Sequence, residues 1–263
     1  MALKESQLDT LAQELQEAEK TRRPSTNLTD RYPEITIADA YSIQLRVIRA
    51  KVNQGQVVVG KKVGLCSRAM QELLSVHEPD YGHILNTMVV SEGEPISMGR
   101  LVQPKMEGEI CFLMGQDLKG PGVNVARVLE ATAGVIPALE IIDSRFKDWK
   151  IKIQDTVADN GGSALVVLGG QLTPVAGIDL RLVGMVLEKN GEIIASGAGA
   201  AVLGNPAQAV AWLANKLGEH GISLRAGEFI MSGSVTAAVP IAAGDCFHVA
   251  FDRLGSVTAR FIE

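Results

Sequence analysis

Beyond about residue 84 the chain breaks into short apolar runs set off by turn residues: EGEICFLM, VIPALEII, SALVVLGG, LVGMVLEKNGEIIAS, GEFIMSG, CFHVAF and SVTARFI. Runs this brief, rich in β-branched and aromatic side chains, fit strands and are too short for most helices. The body of the protein is therefore expected to be strand-built. Asn190-Gly191 has the form of a two-residue hairpin turn, and Asn205-Pro206 opens a helix through AQAVAWLANKLGEH that Gly221 can close. Upstream the period changes: Leu8, Leu11, Leu15 and Ala18 repeat at helical spacing, and Tyr41, Leu45, Ile48 and Val52 do so after Thr36, a cap with Asp39 three residues on. QVVVGKKVGL reads as a strand, SRAMQELLSV as a short helix and HEPDYG as a turn. The expected fold is α+β, with an N-terminal helical region over residues 1–75 packed on a β-rich domain over 76–263.

Composition narrows the function. Hydrophobic residues at 46% and charged residues at 21% are globular values. A net charge of −5 without a basic run argues against nucleic acid or an anionic membrane as partner, which leaves a small molecule. Cys66, Cys111 and Cys246 are scattered, with no Cys-x-x-Cys pair, as expected in a reducing compartment. The start, MALKESQLDT, lacks the apolar segment of a secretory signal, so a cytoplasmic location is expected. The uncharged stretch between Glu192 and Lys216 is broken by Gly197, Gly199, Gly204, Asn205, Pro206 and Gln208, and reads as soluble core, not a membrane span.

Glu107 and Glu109 are the anomaly. In a strand, residues two apart face the same way, so these side chains enter the apolar run PKMEGEICFLM together, their Cα atoms about 6.6 Å apart. Buried side by side, one of them must be protonated or a cation must lie between them; the competing reading is a solvated strand edge. Glu140 stands alone in VIPALEII and must reach the surface, find a base such as Arg145, or bind a metal. Three carboxylates meeting at one point would suit a hard divalent ion. Lys62 alternates with Gly60 and Gly64, which leave room for a ligand, although a surface lysine is the default. His77, His83, His220 and His248 form no zinc signature, and neither a nucleophile elbow nor a dinucleotide fingerprint is present.

Taken together, GKKVGL, HEPDYG, PKMEGEI, IPALEIIDSR, DWKIKIQDTVADN, NPAQAVAWLANKL and GSVTAAVPIAAGD resemble the fumarylacetoacetate hydrolase superfamily. Within it they are similar to the 2-hydroxypenta-2,4-dienoate hydratases and sister 4-oxalocrotonate decarboxylases of aromatic meta-cleavage pathways. The resemblance runs nearly end to end. It implies a mixed β-roll core behind an N-terminal helical region, with Glu107, Glu109 and Glu140 as ligands of Mg²⁺ or Mn²⁺, Lys62 and Asp80 as acid/base groups, and Leu65, Ser163 and Ser234 as substrate contacts. It also implies a homo-oligomer, of which a ring-based decamer is one form, and a complex with the pathway's sister hydratase or decarboxylase. The chain departs from the pattern at one point: where the hydratases read Asp-Asn-Ala-Ser, it has Asp159, Asn160, Gly161, Gly162 and then Ser163.

The implied chemistry is Lewis-acid activation of a 2-hydroxydienoate, with Lys62, tuned below its ordinary pKa, moving protons and Asp80 orienting it or serving as the base for water. Hydration is the expected reaction, and decarboxylation of 4-oxalocrotonate is the alternative. The latter needs a further cationic or amide donor for a second carboxylate, for which Arg68 is a candidate. A scaffold that has lost its chemistry and a hydrolase of acylpyruvates are the remaining readings; the second needs an N-terminal His-Glu pair that the sequence does not offer.

Overall fold

The computed structural model describes residues 3–67, 71–72 and 76–263. The chain opens with α1 (Glu5–Thr21), the single turn α2 (Leu28–Arg31) and α3 (Ile37–Asn53). α1 buries Leu8, Leu11, Leu15 and Ala18, the stripe its spacing predicts. α3 starts at the expected capping box, in which the Thr36 hydroxyl accepts from the Asp39 N–H and the Asp39 carboxylate accepts from the Thr36 N–H. Its buried face differs from the expectation: Ala40, Ile43, Gln44, Val47 and Ile48 point inward, while Leu45 and Val52 are exposed. Gln44 is part of the reason. Its amide donates to the carbonyls of Tyr81 and Val157, two partners that only the tertiary fold brings to the helix.

The strands follow as β1 (Val58–Gly64), β2 (Asp80–Leu85), β3 (Val89–Val90), β4 (Ile96–Ser97) and β5 (Lys105–Met114). Then come α4 (Val125–Ala131), β6 (Thr132–Ile142), α5 (Ile153–Ala158), β7 (Ser163–Leu168), β8 (Gly184–Lys189), β9 (Glu192–Ala198) and α6 (Pro206–Gly218). β10 (Phe229–Ser234), β11 (Val239–Pro240), β12 (Cys246–Phe251) and β13 (Gly255–Ile262) complete the chain. Asn190-Gly191 forms the hairpin turn between β8 and β9, both residues at positive φ, and the Asn205 side chain caps α6. Two expectations are corrected. Asp80, Tyr81 and Gly82 of HEPDYG are strand, paired in register with β1, and α4 and α5 interrupt the β-rich body. The expected helix in SRAMQELLSV falls partly outside the described residues, as does Arg68.

The result is an α+β fold on two mixed sheets. Eight strands form one, in the order β2-β1-β10-β5-β6-β7-β3 with β11 also paired to β5; five form the other, in the order β4-β13-β12-β8-β9. β1 lies second in this ordering, between the edge strand β2 and β10, to which it is parallel, so the helical layer of the first residues is joined to the larger sheet within residues 1–75. One face of that sheet buries Met106, Ile110, Phe112, Leu139 and Ile141 against the second sheet and α6. The other buries Cys111, Ala138, Val166 and Met231 against Ile84, Leu85, Met88 and Ile48. Cover on both faces is why the central strands read as continuous apolar runs. Among the described residues no helix is long and apolar enough to cross a membrane.

Candidate metal centre

Glu107 and Glu109 share the face of β5 that carries Cys111, and Glu107 is the cross-strand partner of Glu140 on β6. Glu109 and Glu140 are fully buried, and Glu107 is half-buried. One carboxylate oxygen from each of the three can be chosen so that all lie within 4.8 Å of one another. Oxygens held about 2.0–2.6 Å from one hard cation lie at most about 4–5 Å apart, so the trio has the dimensions of a shared ion site. The solvated edge considered for Glu107 and Glu109 is ruled out by the burial of the strand.

The state of the individual oxygens tests the fit to a metal. Glu109 Oε2 accepts from the Gly233 N–H at 2.8 Å, but Glu109 Oε1 and both oxygens of Glu140 have no hydrogen-bond partner among the described residues. Buried carboxylate oxygens left bare cost several kcal/mol unless a cation or proton meets them. Arg145, the alternative partner for Glu140, points elsewhere: its N–H and guanidinium hold the carboxylate of Asp159, and the guanidinium also reaches the Asp159 carbonyl. An all-oxygen donor set of three carboxylates with unsatisfied lone pairs fits Mg²⁺ or Mn²⁺.

Among the described residues the nearest cation is Lys62, on β1. Its Nζ donates to the Gly161 carbonyl at 2.9 Å and stands 3.5 Å from Glu140 Oε2. The neighbouring Lys61 faces the other way and pairs with Glu228 at 2.7 Å, as strand alternation requires. Asp80, at the start of β2, pairs with Gly64 across the strands. A methyl group on Gly64 would sit 2.1 Å from Asp80 Oδ1 and 3.2 Å from Lys62 Nζ, so the space beside the lysine is filled by the aspartate; a methyl on Gly60 would meet Phe229 instead. The room these glycines leave is taken by the protein's own groups and not, as expected, by a ligand.

Electrostatics follow from that packing. Burial works to lower the Lys62 pKa but is outweighed by Glu140, Asp80, Glu107 and Glu109, which hold the ammonium well above the ordinary lysine range. The expectation of a lysine tuned downward is thus corrected for the metal-free site. The four carboxylates around Lys62 decide the direction. Burial pushes Glu107 up to about 7, with Lys62 opposing and Glu140 and Asp80 adding to it. Glu109 is held well above the carboxylate range by burial and then by Glu140 and Glu107, and Asp80 is raised by burial against the pull of Lys62.

The other expected contacts are more dispersed. Leu65 follows β1 in a left-handed conformation (φ 55°), its carbonyl accepting from the Gln71 side chain. Ser234 lies opposite Glu109 in the β10–β5 pairing, its hydroxyl donating to the Thr236 carbonyl. Ser163 is buried with its hydroxyl unpartnered among the described residues, and lines a small cavity with Leu15, Val47, Arg145 and Asp159 beneath the helices. Asn160, Gly161 and Gly162, which the sequence marked only as a departure from the family pattern, shape the site as well. Asn160 clamps β2, accepting from the His83 N–H and donating to the His83 carbonyl, and so presents Gly161 to Lys62. Asn160, Gly161 and Gly162 all have positive φ, a turn whose signal in the sequence is the polar residue before two glycines.

A curled mixed sheet that aims three glutamates and one buried lysine at a common point defines an α+β protein with a candidate hard-cation centre. The chain belongs to the fumarylacetoacetate (FAA) hydrolase C-terminal family, whose pattern it matches over residues 46–262. It is 46% identical over 258 residues to a 2-hydroxyhexa-2,4-dienoate hydratase of Comamonas testosteroni (97% of this chain, 98% of that one). It is 50% identical over 218 residues to a 2-hydroxypent-2,4-dienoate hydratase of Pseudomonas putida (82% and 98%). Among solved structures, the 4-oxalocrotonate decarboxylase from Pseudomonas putida G7, complexed with magnesium and adipate, superposes with a TM-score of 0.96 at 42% identity over 99% of each chain.

Proposed function

We propose that this chain is a metal-dependent hydratase, a lyase that adds water to 2-hydroxypenta-2,4-dienoate (2-oxopent-4-enoate in its keto form) to give 4-hydroxy-2-oxopentanoate in aromatic meta-cleavage degradation. One observation carries the reading: three converging glutamates, two of them with bare buried oxygens, against a single buried ammonium flanked by Asp80. The two hydratase relatives support it. Glu107, Glu109 and Glu140 would hold Mg²⁺ or Mn²⁺, which when bound supplies Lewis acidity toward the carboxylate and 2-oxygen of the substrate.

The chain's own groups handle the protons. Lys62, kept charged by its carboxylate neighbours, is the donor that protonates C5 as the enol proton leaves, which makes C4 electrophilic. Asp80, with its raised pKa, takes a proton from the water whose oxygen bonds to C4. Asp80 passes the proton it took from water to C3, and Lys62 regains its proton from the enol, so the net change is the addition of one water molecule. The Gly161 carbonyl holds Lys62 Nζ in place between these steps. Leu65, Ser163 and Ser234 are proposed substrate contacts.

The finer architecture, a β-roll behind an N-terminal helical region with the boundary near residue 75, is part of the proposal. So are a cytoplasmic location, a homo-oligomer such as a ring-based decamer, and association with the pathway's sister enzyme. Leu182 and Ile193, 70% and 69% exposed, support an assembly, since they put apolar side chains in solvent at the two ends of the β8–β9 hairpin. The decarboxylase alternative draws on the 4-oxalocrotonate decarboxylase likeness. Metal-loaded protein given 2-hydroxypenta-2,4-dienoate and 4-oxalocrotonate in separate reactions decides between them. Formation of 4-hydroxy-2-oxopentanoate from the first, abolished by chelation, is expected; CO₂ from the second with no turnover of the first would reverse the assignment.

A further inference from the structure

Of the three carboxylates at the candidate metal centre, only that of Glu109 accepts a backbone hydrogen bond among the described residues. The donor reaches it through an irregularity in the sheet. β10 pairs with β5 through Met231 opposite Cys111 and then Ser234 opposite Glu109. Three steps along β10 thus match two along β5, so one extra residue bulges from β10 beside the glutamates. Gly233 sits in that bulge at φ 110°, where side chains are rarely tolerated, and its N–H donates to Glu109 Oε2 at 2.8 Å.

The bulge is pinned on both flanks of this glutamate. The Ser232 hydroxyl, fully buried, donates to the Ile110 carbonyl at 2.8 Å, and the Val235 N–H donates to the Gly108 carbonyl at 3.1 Å. Cys66 backs it from β1: its thiol donates to the Ser232 carbonyl at 3.2 Å, and a methyl group on Gly233 would lie 2.4 Å from the sulfur. Neither the torsion nor the space admits a side chain at 233. Glu109 therefore meets a rigid donor at one oxygen while Oε1 stays bare.

A glutamate side chain turns about several bonds, and one already held in place loses less freedom when an ion arrives. The benefit differs between ions. Mg²⁺ demands near-ideal octahedral geometry at short distance, whereas Ca²⁺ accepts flexible shells and often takes both oxygens of one carboxylate. A carboxylate with one oxygen engaged by a fixed N–H suits the first ion better than the second. Resting on the metal-dependent function proposed above, we infer that Gly233 is a positioning residue of the metal centre, whose bulge fixes Glu109 and biases the site toward Mg²⁺ over Ca²⁺.

The test is calorimetric titration of the metal-free protein with Mg²⁺ and, separately, with Ca²⁺. Gly233→Ala should weaken Mg²⁺ binding by about 10–100-fold, the range for losing an outer-shell partner, and Ca²⁺ binding by less, so the ratio of the two affinities shifts toward Ca²⁺. Gly244→Ala controls for backbone strain: Gly244 has φ 90° in the turn before β12, with no neighbouring heavy atom within 4 Å of an added methyl. It should leave both affinities unchanged. Ser232→Ala loosens the bulge without straining a torsion; it should shift the ratio in the same direction by less, and it decides the matter should Gly233→Ala not fold. An unchanged ratio in folded Gly233→Ala or, failing that variant, in Ser232→Ala would overturn the role of Gly233, as would an equal shift in Gly244→Ala. Failure of the unaltered protein to bind either ion would instead count against the metal-centred reading itself.

Discussion

Two clusters of buried charge lie close together in this protein and differ in one respect. Around Arg145, the chain satisfies itself: the guanidinium is closed by Asp159, and the Asp143 carboxylate accepts from the N–H groups of Val102 and Gln103. Around Glu140, the chain leaves oxygens bare. The first cluster is as buried as the second, with Arg145 and Asp159 only 6% and 5% exposed. Burial therefore does not distinguish structural charge from functional charge. What distinguishes them is whether the protein supplies every partner.

Replacing Lys62 sharpens the contrast most. Lys62→Met should lower kcat by about 10²–10⁴-fold, while Mg²⁺ titration still shows a site, because the lysine is not a ligand. Next, Arg145→Met should cost about 3–5 kcal/mol of stability, since it strands a buried Asp159. Glu140→Gln should instead cost the metal-free protein little, because its carboxylate accepts no hydrogen bond among the described residues and Lys62, 3.5 Å away, keeps Asp80, Glu107 and Glu109 as neighbours. Chemical denaturation of both variants without metal checks the pair, and equal losses would erase the distinction between the clusters.

Glu109→Gln should weaken Mg²⁺ binding by more than about 100-fold, beyond the 10–100-fold range for losing an outer-shell partner; calorimetry reads this directly. The smallest effect is in pH. Glu107 binds its proton more tightly in the folded chain, about 7 against 4.5, so its contribution to metal-free stability is full below pH 4.5 and falls as pH rises toward 7. Metal must displace that proton, so stabilisation by Mg²⁺ should grow over the same range and level off above it. Thermal melts with and without Mg²⁺ from pH 5 to 8 measure both trends, and parallel curves would show that the carboxylates do not share an ion.

Much of this was legible in the chain. The period of two placed Glu107 and Glu109 on one face, and alternation separated Lys62 from Lys61 before any fold was known. The capping box at Thr36 and the turn at Asn190-Gly191 are local interactions and were equally readable. The buried face of α3 was not, because Gln44 takes partners 37 and 113 residues away. The contact of the Lys105 ammonium with the Trp149 ring was not legible either: a lysine at a strand end and a tryptophan in a polar segment are ordinary until the fold brings them together.

The sequence alone determined which residues could not be buried without help, since desolvation of a carboxylate in an apolar strand is costly whatever the topology. Only the tertiary structure decided where that help comes from. β1 and β6 are three strand spacings apart, roughly 14 Å across a flat sheet, yet Lys62 Nζ stands 3.5 Å from Glu140 Oε2. Side-chain reach and the curl of the sheet close that distance, and curl arises from strand twist and packing on both faces, which no local stretch of sequence encodes.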